Sequence, residues 1–227
     1  AFRSKQVIDA IRSGVLQRIA VAYIDYSSRD WNKLLIDWQI IRDRDSAYAF
    51  ADALLKAPLT FGRRTSISDA LEQSRDLIDK NDIEGTRRVI DVSGDGPNNF
   101  GRVVDTVRDE TIARQITING LPIINERSSV FSRYNLPDLD NYYRGCVIGG
   151  PRAFLVVARD FKDFARAIRK KLVLEIAGLS PTRSTGFIRA KVDPPLNVRP
   201  SPNGYTYAKG CDIGERMRDG YWADDDT

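Results

Sequence analysis

Thr86-Arg87-Arg88-Val89-Ile90-Asp91-Val92-Ser93-Gly94-Asp95-Gly96-Pro97-Asn98-Asn99-Phe100-Gly101 is the stretch whose reading decides the fold. A basic start leads into an apolar, β-branched run broken only by Asp91. The run ends in a polar turn rich in oxygen atoms, Ser93 to Asn99. A strand that ends in a carboxylate at a Gly-Pro turn belongs at the ligand edge of an α/β sheet. Upstream, Thr65-Ser66-Ile67-Ser68-Asp69 is a hydroxyl cluster opening an apolar-periodic helix. A hard divalent cation takes hydroxyl, carboxylate and water oxygens, which these two loops can supply together. Each loop also has a plain structural reading: Ser66 with Asp69 is a helix N-cap with an acidic first turn, and Asp95-Gly96 is a turn.

Working outward, 5–13 reads as a helix closed by Gly14. Residues 18–26 read as an interior strand, apolar on both faces. A second strand over 33–41 follows a short polar connection, which predicts an antiparallel hairpin. A helix over 46–57 stops at Pro58, and another runs from Ile67 to about Lys80. Strand 87–93 is followed by helix 103–115, strand 116–124, a polar and aromatic linker over 125–135, a short helix within 137–145 and a strand over 154–158. The last helix, 160–177, carries the apolar stripe Phe161, Phe164, Ala165, Ile168, Leu172 and Ile176. The four basic residues in its segment 166–171 read as a solvated face. This alternation predicts a parallel sheet with helices on both faces. Beyond Gly178, prolines break up short β-like pieces, so 178–227 reads as an irregular appendage to a domain spanning 1–177. The aromatics Tyr205, Tyr207, Tyr221 and Trp222 suggest that the appendage docks on something.

Composition narrows the function. The 227 residues are 42% hydrophobic and 29% charged, ordinary for a globular chain with one substantial core. Basic and acidic residues, 35 against 31, are interspersed, so no nucleic-acid-binding stripe stands out. There is no histidine, which excludes Ser-His-Asp and Cys-His nucleophile systems and imidazole zinc sites. Cys146 and Cys211 are too far apart for a redox Cys-x-x-Cys motif. They form either one disulfide closing a long loop or two reduced thiols. No segment reaches the ~18 apolar residues that span a bilayer, and the start, Ala1-Phe2-Arg3-Ser4-Lys5, has no signal-peptide core.

The sequences IDAIRSG, RIAVAYIDY, TSIS, EGTRRVIDVSGDGPNN, ITINGLPI, YYRGCVIGG and KLVLEIAG together resemble a von Willebrand factor A-type domain. They are most similar to a bacterial, exported branch of that family, largely of unassigned function. The resemblance covers roughly residues 2–178. It implies an α/β fold with a doubly wound, mostly parallel sheet of six strands, one edge antiparallel, flanked by helices. It also implies a metal-ion-dependent adhesion site at the carboxyl ends of the strands. Thr65 matches the family's second-loop Thr and Asp95 its fourth-strand Asp. The family's first strand, with its Asp-x-Ser-x-Ser motif, should precede the first helix and has no counterpart here. Asp91-Val92-Ser93-Gly94-Asp95 imitates that motif but occupies the fourth-strand position. The expectation is an N-terminally incomplete domain with a weakened site and unpaired edges on strands 18–26 and 87–93, unless a tail segment such as 186–192 fills the gap.

The implied function is a non-catalytic protein-binding or adhesion module. Its Mg2+ would be held at Thr65 and Asp95 and would bridge to an acidic group on a protein partner. Arg63 and Arg64 either steer that group or sit in solvent. No nucleic acid and no membrane span is expected, and the location is periplasmic or secreted. The alternatives are a structural interaction domain without metal and, less favoured, a metal-dependent hydrolase built on Asp91 and Asp95.

Overall fold

A computed structural model describes residues 1–28, 31–58, 62, 64–124, 136–159, 161–178 and 204–224. The expected linker 125–135, Arg63, the segment 186–192 and the acidic end 225–227 lie outside the described residues, as do the side chains of Tyr221 and Trp222.

Helix α1 (Lys5–Ser13) buries Val7, Ile8, Ala10 and Ile11, the face given by apolar residues at helical spacing, and ends at Gly14. Strands β1 (Ile19–Asp25) and β2 (Lys33–Ile41) form the expected antiparallel pair, from Ile19 opposite Ile41 to Asp25 opposite Lys33. Helix α2 (Arg44–Lys56) starts two residues earlier than its sequence suggests, because the Asp43 carboxylate accepts from the Ser46 amide and fixes the first turn. Phe2, α1, Ile36, Ile41, Ala47 and Phe50 close one core cluster, with the Phe2 and Phe50 rings edge to face at 4.7 Å.

The second cluster forms around helix α3 (Ile67–Lys80), strand β3 (Arg88–Gly94), helix α4 (Val104–Ala113) and strand β4 (Ile116–Pro122). Strands β3 and β4 are parallel, from Arg88 opposite Ile116 to Gly94 opposite Pro122. Ile90 and Val92 point into this core with Ile116 and Ile118, so within the β-branched run read from the sequence these alternate residues form the buried face. Helix α5 (Leu139–Tyr142) runs into a π-helical turn, Tyr143–Val147, which buries Tyr143, Cys146 and Val147. Helix α6 (Phe161–Ile176) covers the other face, placing Phe164 and Ile168 on Leu121 and Ala158, and Leu172, Val173 and Ile176 on the first cluster.

Several expectations are corrected. The doubly wound sheet is present among the described residues as two two-stranded pieces, β1–β2 and β3–β4. Among the described residues β1 pairs with β2 alone, and Tyr23 is 42% exposed, so β1 does not have the two covered faces expected of an interior strand. Between the carboxyl ends of β1 and β3, Tyr26 Oη donates to the Ser93 carbonyl at 2.9 Å. A phenol ring spanning that interval means the backbones stand farther apart than the ~4.8 Å of paired strands. The strand expected over 154–158 is reduced to single bridges, Leu155 to Gly120 and Ala158 to Ile123.

The basic face of α6 is not all solvated. Arg166 is exposed, but Lys171 is 1% exposed and forms ion pairs with Asp91 of β3 and, at 3.8 Å, with Glu175. Ala165, placed on the apolar stripe, is exposed instead. Last, the tail is irregular only in part. It contains helix α7 (Ile213–Asp224), and Tyr207 and Cys211 sit in the same core cluster as β3 and β4. Cys146 and Cys211 are disulfide-bonded, resolving the alternative left open by their spacing.

Candidate functional site

The loop before α3 and the loop after β3 are laced together by backbone and asparagine groups. The Thr65 amide donates to Asn99 Oδ1 and the Asn99 amide to the Thr65 carbonyl, both at 2.8 Å. One residue pair thus makes two reciprocal bonds across the junction. The Ser68 amide donates to Asn98 Oδ1 at 3.0 Å, so α3 has one of its free first-turn donors satisfied from the other loop. Ser66 is the N-cap expected from sequence, its Oγ accepting from the Asp69 amide at 3.3 Å. On the far side, the Ser66 amide donates to the Ser27 carbonyl and Ser27 Oγ to the Arg64 carbonyl, tying the Thr65 loop to the end of β1 as well.

This lacing puts Thr65 at the loop after β3. A Cβ built on Gly96, the neighbour of Asp95, would lie 3.6 Å from Thr65 Oγ1. Asp95 itself is exposed, Thr65 is half-buried, and the buried phenols Tyr26 and Tyr143 lie behind them. Burial pushes both phenols far above their ordinary range, and the negative charge of Asp95 adds to it, so they stay protonated beside that carboxylate. The two sequence-predicted site residues are therefore brought to one loop junction, with their backbones held by groups other than themselves. Arg64 lies over the Phe100 ring, 4.7 Å from its centroid.

Not every oxygen of the Ser93–Asn99 turn is available as a ligand. Asn98 is fully buried, and its amide group is engaged on both ends: Oδ1 accepts from Ser68, and Nδ2 donates to the Arg102 carbonyl at 3.1 Å and to Glu215 Oε1 at 2.6 Å. Asp91, adjacent in sequence to the turn, belongs to the Lys171 ion pair on the α6 side of the sheet. A Thr hydroxyl and a carboxylate suit a hard cation as a partial ligand set, short of the six or more oxygens such ions take. Among the described residues, no group of three or more acidic, histidine or cysteine side chains is gathered to hold a metal.

Sequence reasoning took Asn98 and Asn99 as oxygens of the turn rather than as its lacing, and missed Tyr142, Glu215 and Arg218. Tyr142 Oη accepts from the Asn98 amide at 3.1 Å, and Arg218 Nη1 donates to the Asn99 carbonyl at 2.9 Å. The one signal available was the Asn-Asn pair directly after Gly-Pro. Asparagine carries both a donor and an acceptor, so it is the residue that can lace two loops.

Gly101 closes the junction with φ +87°, and a Cβ there would meet Ser68 Oγ at 2.7 Å and Ser66 Oγ at 2.8 Å. Gly101→Ala should cost about 2 kcal/mol, from left-handed backbone strain together with the displaced cap. A urea unfolding midpoint unchanged from the parent would contradict this.

A family model described as "Protein of unknown function (DUF1194)" matches residues 1–180. No curated protein matches the sequence at a significant level. Among solved structures, proximal thread matrix protein 1 from the mussel byssus, in one crystal form, superposes with a TM-score of 0.50 at 12% identity, over 76% of this chain. The same mussel protein with a zinc-occupied MIDAS motif gives a TM-score of 0.49 at 12% identity, again over 76% of this chain. In both, the match spans only 38% of the mussel chain. The first likeness supports a von Willebrand factor A-like α/β fold for this chain, and fold alone. Among the described residues, no helix is long and apolar enough to cross a membrane.

Proposed function

Since the chain belongs to this DUF1194 family of proteins of unknown function, we propose its role from the loop junction itself: a non-catalytic protein-binding module of the adhesion type. In this reading Thr65 Oγ1 and Asp95 hold a divalent cation, Mg2+ by preference, whose remaining positions accept water and a carboxylate from a partner protein. The observation that carries it is the reciprocal Thr65–Asn99 pair, both bonds 2.8 Å, which fixes the Thr65 loop against the Asp95 loop without using either candidate ligand's side chain. Engagement of Asp91 with Lys171 supports the absence of hydrolysis, because it leaves Asp95 without a second carboxylate from the same strand. The two sheet pieces are read as halves of one doubly wound, mostly parallel sheet. The Cys146–Cys211 disulfide supports a periplasmic or secreted location, as in the exported bacterial branch the sequence resembles, since such bonds persist in oxidising compartments.

Thermal melts with Mg2+ and with EDTA test this reading. At ten times the dissociation constant, a single site that binds only the native state adds about 1.4 kcal/mol. For a chain of this size that is a shift of several degrees in Tm. The parent is expected to show it, and Thr65→Ala and Asp95→Asn to lose it. No Mg2+ response in the parent would remove the metal. It would leave a structural interaction domain, the reading favoured by the engagement of Asn98 and Asn99 in lacing rather than ligation.

A further inference from the structure

Helix α7 lies beyond the 1–180 span of the family match, yet it is fastened directly onto the loop after β3. Three of its residues make the contact. At Gly214 the helix approaches so closely that an added Cβ would fall 1.9 Å from the Asn98 carbonyl oxygen and 3.1 Å from Pro97. Glu215 Oε1 accepts from Asn98 Nδ2 at 2.6 Å, and Arg218 Nη1 donates to the Asn99 carbonyl at 2.9 Å. The base of the helix is held from behind. Cys211 is bonded to Cys146 of the π-helical turn, and Tyr142, which bonds the Asn98 amide, also donates to the Cys211 carbonyl at 3.4 Å.

These contacts converge on the two asparagines that lace the candidate site. Glu215 holds the donor end of the Asn98 amide, so its acceptor end must face the Ser68 amide. Arg218 holds the carbonyl of Asn99, the residue whose other two groups bond Thr65. Charged partners on neutral amide groups make the stronger class of hydrogen bond.

We propose that α7 is a clamp on the site. Through Glu215 and Arg218 it sets where Asp95–Asn99 stand relative to Thr65, and thereby the affinity of that junction for its cation. Glu215 and Arg218 are positioning residues, acting through Asn98 and Asn99 and touching neither Thr65 nor Asp95. The affinity half of the proposal rests on the metal reading above; the clamp half does not.

The test uses the full chain and two readouts: hydrogen exchange at the Thr65 and Ser68 amides, and Mg2+ titration followed by NMR shifts. In Glu215→Ala, exchange at Ser68 should rise about tenfold or more, the effect of losing one charge-assisted hydrogen bond. Mg2+ affinity should fall by a similar factor. Glu215→Gln keeps a carbonyl oxygen for Asn98 Nδ2 and should restore both. Arg218→Ala removes a different contact and should speed exchange at Thr65 more than at Ser68. This keeps the proposal testable if Glu215→Ala does not fold. Unchanged protection at both amides in the Glu215 and Arg218 variants overturns the clamp. Faster exchange with unchanged Mg2+ affinity overturns its coupling to the site. A parent chain that binds no Mg2+ refutes the metal reading and the affinity half with it, while exchange still decides the clamp.

Discussion

Lys171→Met is expected to lower the unfolding free energy by about 1 to 2 kcal/mol, read as a drop in the urea midpoint at unchanged slope. Lys171 is essentially solvent-free on the inner face of α6, with its ammonium against Asp91 of β3 and 3.8 Å from Glu175. Asn119 of β4 donates to that same Glu175 carboxylate at 3.4 Å, and accepts from the Phe154 amide at 3.1 Å. One cation therefore compensates two carboxylates at the seam between α6, β3 and β4. Methionine fills the volume and removes the cost of burying the ammonium, but leaves Glu175 and the one-third-exposed Asp91 without a counter-charge, so a net loss remains that is smaller than for a fully buried pair.

Burial holds the Lys171 ammonium below its ordinary range, at about 8, against the pull of Glu175. The sign follows from that displacement. Between pH 8 and the ordinary lysine range the unfolded chain binds the proton that the folded chain has released, so this group's contribution to stability rises with pH across that window. A double-mutant cycle with Asp91→Asn should show a coupling of at least about 1 kcal/mol. Additive effects, or a loss below about 1 kcal/mol for Lys171→Met alone, would mean that the pair is incidental to the α6 seam.

Breaking the Cys146–Cys211 bond is the second large effect. The cross-link joins residues 65 positions apart, and the chain-entropy relation for a loop of that length gives about 4 kcal/mol. Both half-cystines sit in the core, Cys146 at 0% and Cys211 at 7% exposure, among Tyr142, Tyr143 and Tyr207. Cys146→Ser with Cys211→Ser should therefore lower the midpoint by about that amount. Its largest local effect should be in 205–218, where Tyr207 stacks edge to face on Tyr142 at 5.6 Å. Unfolding in the presence and absence of a dithiol measures the same quantity without mutation. A shift below about 1 kcal/mol would show that the tail is held by its apolar and polar contacts alone. Because α7 is anchored at Cys211, the double serine variant should also speed exchange at Ser68 and Thr65, in the same direction as Glu215→Ala.

What the sequence determined by itself was whatever short-range patterns encode. Apolar residues at helical spacing gave α1, α3 and α6. Apolar, β-branched runs gave β1 to β4, and the short polar link gave the β1–β2 hairpin. Ser66 was legible as an N-cap because its partner, the Asp69 amide, is three residues away. The Thr65 and Asp95 loops were legible as possible neighbours from their order in the α/β pattern, and family resemblance gave the two residues their matched positions. α7 was not legible, because its Glu, Arg and Asp residues and Gly220 leave little apolar periodicity.

Tertiary structure alone decided the rest, wherever the deciding partner lies far along the chain. Lys171 looks like its solvated neighbours until Asp91 is placed against it. Asn98 looks like a ligand until Ser68 and Glu215, the latter 117 positions away, occupy both ends of its amide. The segment 154–158 looks like a strand, yet it makes isolated bridges, Leu155 to Gly120 of β4 and Ala158 to Ile123 just beyond it, because strand pairing is set by register against a neighbour and not by propensity. Burial and hydrogen-bond partnership are properties of pairs, and a one-dimensional pattern reports only the pairs that are close in sequence.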